Sequence, residues 1–283
     1  MLNNSIFNRC GVGRLPDVAH PECLQTLSSM EKEQESFLAK QTQFRSRDYH
    51  WPHDALHSWS RIWEYPYVFH HLRQFQKDRD PGVRLEAADI GSGVTFFPLL
   101  VAKSGFRLTC IDMDPVVARD IPQAAEVLGV EGVAVITSDG STLPLADASM
   151  DVVYCISVLE HIPQFESTIR EMARILKPEG LLILTIDLDL NGNAEIGPGR
   201  YRDLLAALES SFELAFERTH VHPAELLTSS NSPYHLYPSG LRFLFMIFKQ
   251  LLKPLLHRPV VPLWKQSGRI HLAVEGTVWR FRR

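Results

Sequence analysis

Cysteine is scarce in this chain: four residues, Cys10, Cys23, Cys110 and Cys155, and no two of them form a CxxC pair. Two lie in apolar runs that read as buried strands, so free thiols in a reducing cytoplasm are expected. No stretch approaches the roughly 20 apolar residues that span a bilayer. The opening MLNNSIFNRCGVG lacks the basic segment and following apolar stretch of a signal peptide. A cytoplasmic protein is expected, soluble or at most peripheral to a membrane. Internal repeats and low-complexity tracts are absent too. Acid is missing from one region in particular. From Arg242 to Arg283 there are nine Lys or Arg and one acid, Glu275, a net +8 against −4 for the whole chain. The other 241 residues therefore carry −12.

What is present is ordinary globular composition, 45% hydrophobic and 22% charged over 283 residues, which excludes a largely disordered chain. Residues 1–82 read as a helical region, with EKEQESFLAKQTQF followed by the aromatic, histidine-rich HWPHDALHSWSRIWEYPYVFHHLRQF. The turn residues KDRDPG mark a boundary. Beyond it, short apolar runs alternate with helical segments. RLEAADI, FRLTCID, VAVITSD, MDVVYCIS and LLILTIDL read as strands. FPLLVAKSG, PVVARDIPQAAEVLG and FESTIREMARILKPEG read as helices, 200–210 as another, and HLAVEGTVWRF as a last strand with period-two alternation. This order predicts an α/β, doubly wound, mostly parallel sheet with helices on both faces.

Ligands of such sheets bind at the carboxyl ends of the strands. The first strand ends in Asp89-Ile90-Gly91-Ser92-Gly93, where two glycines let the backbone turn sharply and approach a ligand. The second ends at Asp112, twenty-three residues after Asp89, where a carboxylate can accept from both hydroxyls of a ribose. The third ends in Ser138-Asp139-Gly140, where an acid can accept from an exocyclic amine. Together three acids at neighbouring strand ends can bracket an adenosine. A nicotinamide site would need GxGxxG, but Val-Thr-Phe follows Gly93.

The runs DIGSG, CIDMDP, SDGSTLPLADASMDVVYCISVLEHI and MARILKPEGLLILT resemble the class I S-adenosylmethionine-dependent methyltransferases, notably the group acting on small molecules, over about residues 84–187. The resemblance implies a Rossmann-like, seven-stranded core at 83–283 and S-adenosylmethionine as cofactor. It implies that Asp89, Ile90, Gly91, Ser92 and Gly93 surround the amino-acid part of that molecule. Asp112 would hold its ribose, Met113 would lie against its adenine, and Asp139 with Gly140 would contact the adenine amine. Ser157 would face the methionyl portion. The sequence departs from the family where Thr95 stands for a third glycine and Glu179 for a glycine in the turn Pro178-Glu179-Gly180.

Outside the cofactor shell, His161 follows Glu160 at the end of the fourth strand and is a candidate base for a hydroxyl acceptor. It can equally pack and hydrogen-bond in its loop. His53 and His57 would share a face if helical, and with His50 could ligate a metal, but methyl transfer needs none and no metal is expected. His57 is the second catalytic candidate. Trp59, Arg61, Glu64, Tyr65 and Tyr67 read as an acceptor-covering lid, or as an amphipathic helix packed on the core. An inserted lid segment is expected at 222–265, with Tyr234, His235 and Tyr237 as further acceptor contacts. Within it, about 100° per residue brings Arg242, Lys249 and Lys253 within about 40° on an otherwise apolar helix at 241–253. That helix is either buried, with its cations snorkelling, or in contact with an anionic membrane or a lipid-like acceptor.

The expected function is methyl transfer to a small molecule, in particular O-methylation of a polar or sugar-containing metabolite. A lipid-linked acceptor and a non-catalytic cofactor-binding partner are the alternatives. Nucleic acid is not expected, because the core is acidic and no NPPY motif follows the fourth strand.

Overall fold

The computed structural model describes residues 5–80, 82–191, 196–234 and 271–282. Strands β2 (Glu86–Ile90), β3 (Arg107–Asp112), β4 (Val133–Thr137), β5 (Met150–Ile156) and β6 (Leu176–Asp189) pair in parallel, in the order β4-β3-β2-β5-β6. β8 (Leu272–Phe281) adds antiparallel to β6, and β7 (Phe212–Leu214) adds antiparallel to β8. The chain order reverses between β2 and β5, so the crevice at the strand ends opens there.

Helices α1 (Leu15–Val18), α2 (Pro21–Lys40), α3 (Arg61–Lys77), α4 (Phe96–Lys103) and α5 (Pro115–Leu128) share a core with Ala87, Leu108, Val152 and Ile183 on one face of the sheet. On the other face α6 (Phe165–Ile175) and α7 (Pro198–Glu209) pack on Ala88, Val153, Leu182 and Leu184. Apolar runs rather than alternating ones follow from this, since both faces are covered. Local chemistry sets the turns that matter. At the start of α5, Asp114 caps by accepting from the Val116 N–H at 2.9 Å, Pro115 takes the first helical position, and Gly129 closes the helix at φ +64°. This places Asp112 just before a helix N-terminus.

Several sequence expectations change. Among the described residues the seven strands are joined by an eighth, β1 (Gly11–Val12), which pairs antiparallel with β8. Helix α6 stops at Ile175 rather than running to residue 180, because Pro178 disfavours helix at the residue before it. Met150 pairs with Leu176 and Val152 with Leu181, so the intervening residues bulge from the ladder. In β8 the expected alternation does not appear as alternating burial: Leu272–Trp279 are all buried, since helices cover both sides. Its Glu275 is satisfied by the Tyr201 hydroxyl and the Arg218 guanidinium.

Helices α2 and α3 of the amino-terminal region share the main core. Trp63 and Tyr67 of α3 stack with ring centroids 4.8 Å apart and lie directly over Gly276, where a Cβ would come within 2.6 Å of Tyr67 Cε1. Only glycine permits that approach. α3 begins at Arg61, so His53 and His57 lie in turns and do not share a helical face.

Candidate active site

The glycine turn after β2 is held by its geometry. Gly91 has φ +77°, and a Cβ there would lie 2.4 Å from Val158 Cγ2. Gly93 has φ +58°, and a Cβ would lie 3.0 Å from Tyr49 Oη. The Gly93 N–H donates to Asp112 Oδ2 and the Asp114 N–H to Asp112 Oδ1, each at 2.9 Å. Ile90 and Ser92 are buried in the turn, while Met113 beside Asp112 is 72% exposed. One strand further out, Asp139 is exposed and accepts from the Ser141 N–H and hydroxyl at 2.9 and 2.7 Å. Those bonds hold its carboxyl below the usual range. Gly140, at φ +82°, backs onto Thr168.

Asp89 differs from these two acids. It is buried beside Cys110 and Tyr154, its register neighbours, and burial pushes its carboxyl up to about 8, with Asp112 adding to the rise.

Toward β5 and β6 the site is built by distant segments. Ser157, just after β5, is buried at φ +49°, an uncommon conformation for a non-glycine residue. Its hydroxyl donates to Glu64 Oε1 at 2.5 Å, and the Thr185 hydroxyl donates to the same oxygen at 2.6 Å. Arg61 pairs with Glu64 Oε2. Burial opposes charge on Glu64, but Arg61 and the two hydroxyls outweigh it and lower its pKa. Glu160 is buried, with Oε1 accepting from the Asp187 N–H at 2.9 Å and Oε2 without a hydrogen-bond partner among the described residues. Burial and the nearby Asp187 raise its carboxyl well above the carboxylate range. Asp187 is half-buried near the end of β6, 3.4 Å from the Ser157 hydroxyl.

The remaining sequence candidates are spread out. His161 is exposed, while its neighbour Glu160 points inward. His57 bonds Asp54 Oδ2 at 2.8 Å and meets the Tyr234 ring at 5.0 Å between centroids. Trp59 is buried, its carbonyl accepting from the Ser232 hydroxyl at 2.8 Å. Tyr65 stacks on Phe97 at 4.4 Å, and burial pushes its hydroxyl up to about 12. Tyr67 is fully buried, its hydroxyl donating to the Arg9 carbonyl at 2.9 Å, a packing position with no access for an acceptor. His53 bonds Gln41, and among the described residues no group of three or more His, Cys, Asp or Glu is placed to hold a metal ion. His235, Tyr237 and the 241–253 segment lie outside the described residues. No described helix is long and apolar enough to cross a membrane.

Sequence reasoning missed Tyr49 and Arg45. The Val94 N–H donates to Tyr49 Oη at 3.0 Å, and Arg45 donates to the Val94 carbonyl at 2.6 Å while lying over the Tyr49 and Phe37 rings. The segment before α3 thus clamps the glycine turn at the residue before Thr95. Asp187 and Glu160 were also missed as inward groups, although Glu160 adjoins the predicted His161.

Residues 88–184 match the family described as "Methyltransferase domain". This stretch holds the glycine turn, Asp112, Asp139 and Ser157. Over this stretch the chain is similar to methyltransferase domains. An uncharacterized methyltransferase of Mycobacterium leprae is 35% identical over 115 residues, 40% of this chain and 42% of that protein. One from Mycobacteroides abscessus is 30% identical over 156 residues, 54% of this chain and 57% of that protein. The chain thus spans about half the length of the curated relatives it matches. Among solved structures, the cyclase SpnF superposes with TM-score 0.55 at 18% identity, covering 89% of this chain and 94% of that one. The StiE O-MT fragment gives 0.52 at 15% identity, covering 75% and 74%. These likenesses concern the fold alone, and a cyclase on the same fold illustrates why chemistry must be argued from the site.

The methyltransferase domain implies S-adenosylmethionine as cofactor. The residues fit such a group. The backbone at Gly91 and Gly93 leaves a cradle that Cβ atoms would crowd, and Asp112 and Asp139 present carboxylates at successive strand ends.

Proposed function

We propose that this chain transfers a methyl group from S-adenosylmethionine to a hydroxyl of a polar or sugar-containing small molecule. In this reading Gly91 and Gly93 cradle the amino-acid part of the donor, Asp112 takes the ribose hydroxyls and Asp139 the adenine amine. The donor supplies an electrophilic methyl on a sulfonium. The protein contributes alignment and exclusion of water, worth up to about 7–11 kcal/mol when the geometry is right.

The observation that supports a hydroxyl acceptor is Asp187. Its carboxylate stands half-exposed on β6, one strand beyond Ser157, on the side away from the adenosine acids. A hydroxyl is a poor nucleophile until a base receives its proton. Asp187 takes that proton as the oxygen lone pair bonds the methyl carbon, and the carbon–sulfur electron pair stays on sulfur. Glu160, kept neutral by burial, spares Asp187 a second fixed negative charge. His161, exposed on its turn, is replaced in this role.

The test is transfer of radiolabelled methyl from the donor to a panel of methyl glycosides and other hydroxylated compounds, against matched amines. Transfer to a hydroxyl that Asp187→Asn slows about 10²- to 10³-fold, with unchanged S-adenosylhomocysteine affinity, is expected. Transfer to amines alone would remove the reading.

A further inference from the structure

The acids that suit an adenosine follow β3 and β4, so a donor lying across the glycine turn directs its methionyl end the other way, over β5 and β6. That end is a zwitterion, with an ammonium and a carboxylate. Acids are plentiful there: Asp89, Glu64, Glu160 and Asp187. A carboxylate needs a cation, and Arg61, at the start of α3, is placed to be one.

Arg61 is fixed from below. Glu64 pairs with it, and Glu64 is itself fully buried and anchored by the hydroxyls of Ser157 and Thr185. The guanidinium lowers the pKa of Asp89 at the end of β2, and Asp187 on β6 raises that of Arg61. Through Glu64, held by Ser157 just after β5 and by Thr185 on β6, it stands over the end of β5. Its side chain is 24% exposed, whereas that of Glu64 is 0% exposed, so the positive member of the pair is the one open to solvent. Its Nη1 serves Glu64 and Ser60, and among the described residues Nε and Nη2 have no hydrogen-bond partner. Arg45, the guanidinium on the glycine turn, is already spent on the Val94 and His53 carbonyls and the Gln41 side chain.

We propose that Arg61 binds the carboxylate of the donor's methionyl group, with Glu64 as the positioning residue that holds the guanidinium over the end of β5. The inference rests on the methyl-donor reading and moves Arg61 from the acceptor to the donor. The planar fork of a guanidinium matches a carboxylate, and a fork held by a buried partner loses little freedom on binding.

The experiment is calorimetric titration with two ligands. S-adenosylhomocysteine keeps the amino-acid carboxylate, and 5′-methylthioadenosine lacks the amino-acid part altogether. Arg61→Ala is expected to weaken S-adenosylhomocysteine about 10- to 100-fold and leave 5′-methylthioadenosine within about twofold. Arg61→Lys should recover part of the loss, since it keeps the charge and not the fork. Because Arg61→Ala leaves Glu64 buried without its partner, the double variant Arg61→Gln/Glu64→Gln removes both charges and should show the same split. Equal weakening of both ligands in the double variant overturns the proposal, as does unchanged binding of both. A wild-type protein that binds neither ligand removes the methyl-donor reading as well, an outcome distinct from losing Arg61 alone.

Discussion

Two sets of carboxylates surround the same strand ends and are held in opposite ways. Asp112 and Asp139 are at least partly solvent-facing and take their bonds from close by, Asp112 from Gly93 and Asp114 and Asp139 from Ser141. Asp89, Glu64 and Glu160 are buried, and their charge states are set by desolvation and by partners that lie mostly on other elements. The same chemical group is a ready hydrogen-bond acceptor in one place and a structural tie or a neutral acid in the other. Residue type alone does not decide which; the surrounding dielectric and the origin of the partners do.

The two sets are expected to respond differently to removal. The largest effect is expected at Glu64. Glu64→Ala leaves Arg61, Ser157 and Thr185 without their shared partner and should cost about 3 kcal/mol of stability in urea denaturation, in the lower part of the range for breaking a buried pair. A loss below about 1 kcal/mol would mean that Glu64 does not tie α3 to the sheet. Asp112→Ala should show the opposite signature: about 100-fold weaker S-adenosylhomocysteine binding by calorimetry, with stability changed by less than about 1 kcal/mol. Should both variants lose stability and affinity alike, the contrast collapses.

Asp89 sharpens the comparison through pH. Its folded value, about 8, is raised above the ordinary carboxylate value, so its contribution to stability is full below about pH 4 and is lost as pH rises through 8. Ligand-free wild-type protein should show that decline in denaturation midpoints from pH 4 to 8, and Asp89→Asn should flatten it. An identical slope in the variant would place the cause elsewhere. The smallest effect belongs to Asp139, exposed and locally bonded. Asp139→Asn should weaken S-adenosylhomocysteine about 3- to 10-fold with no measurable change in urea midpoint.

The contrast also marks how far the sequence could be read. Alternating apolar runs and helical segments exposed the α/β sheet, and the residues closing each strand exposed Asp89, Gly91, Gly93, Asp112 and Asp139. The helix starting at Arg61 was visible as an aromatic stretch, but the roles of its residues were not. Tyr67 and Tyr65 look alike in sequence, yet one hydroxyl serves the Arg9 carbonyl while the other ring stacks on Phe97. His161 drew attention as a titratable residue, whereas the turn it occupies turns Glu160 inward instead.

The sequence by itself determined the order of strands and helices, the sharp turn after β2 and the acids at three strand ends. Each depends on residues within a few positions of one another, where periodicity, glycine and capping act. Only the tertiary structure decided that Glu64 meets Ser157 and Thr185, 93 and 121 residues away, and that Tyr49 and Arg45 clamp Val94. It also decided that Asp89 is buried while Asp139 is exposed. Such contacts leave no local pattern, because they are selected by the packing of whole helices on the sheet, and burial, which sets the charge of each acid, exists only once that packing is complete.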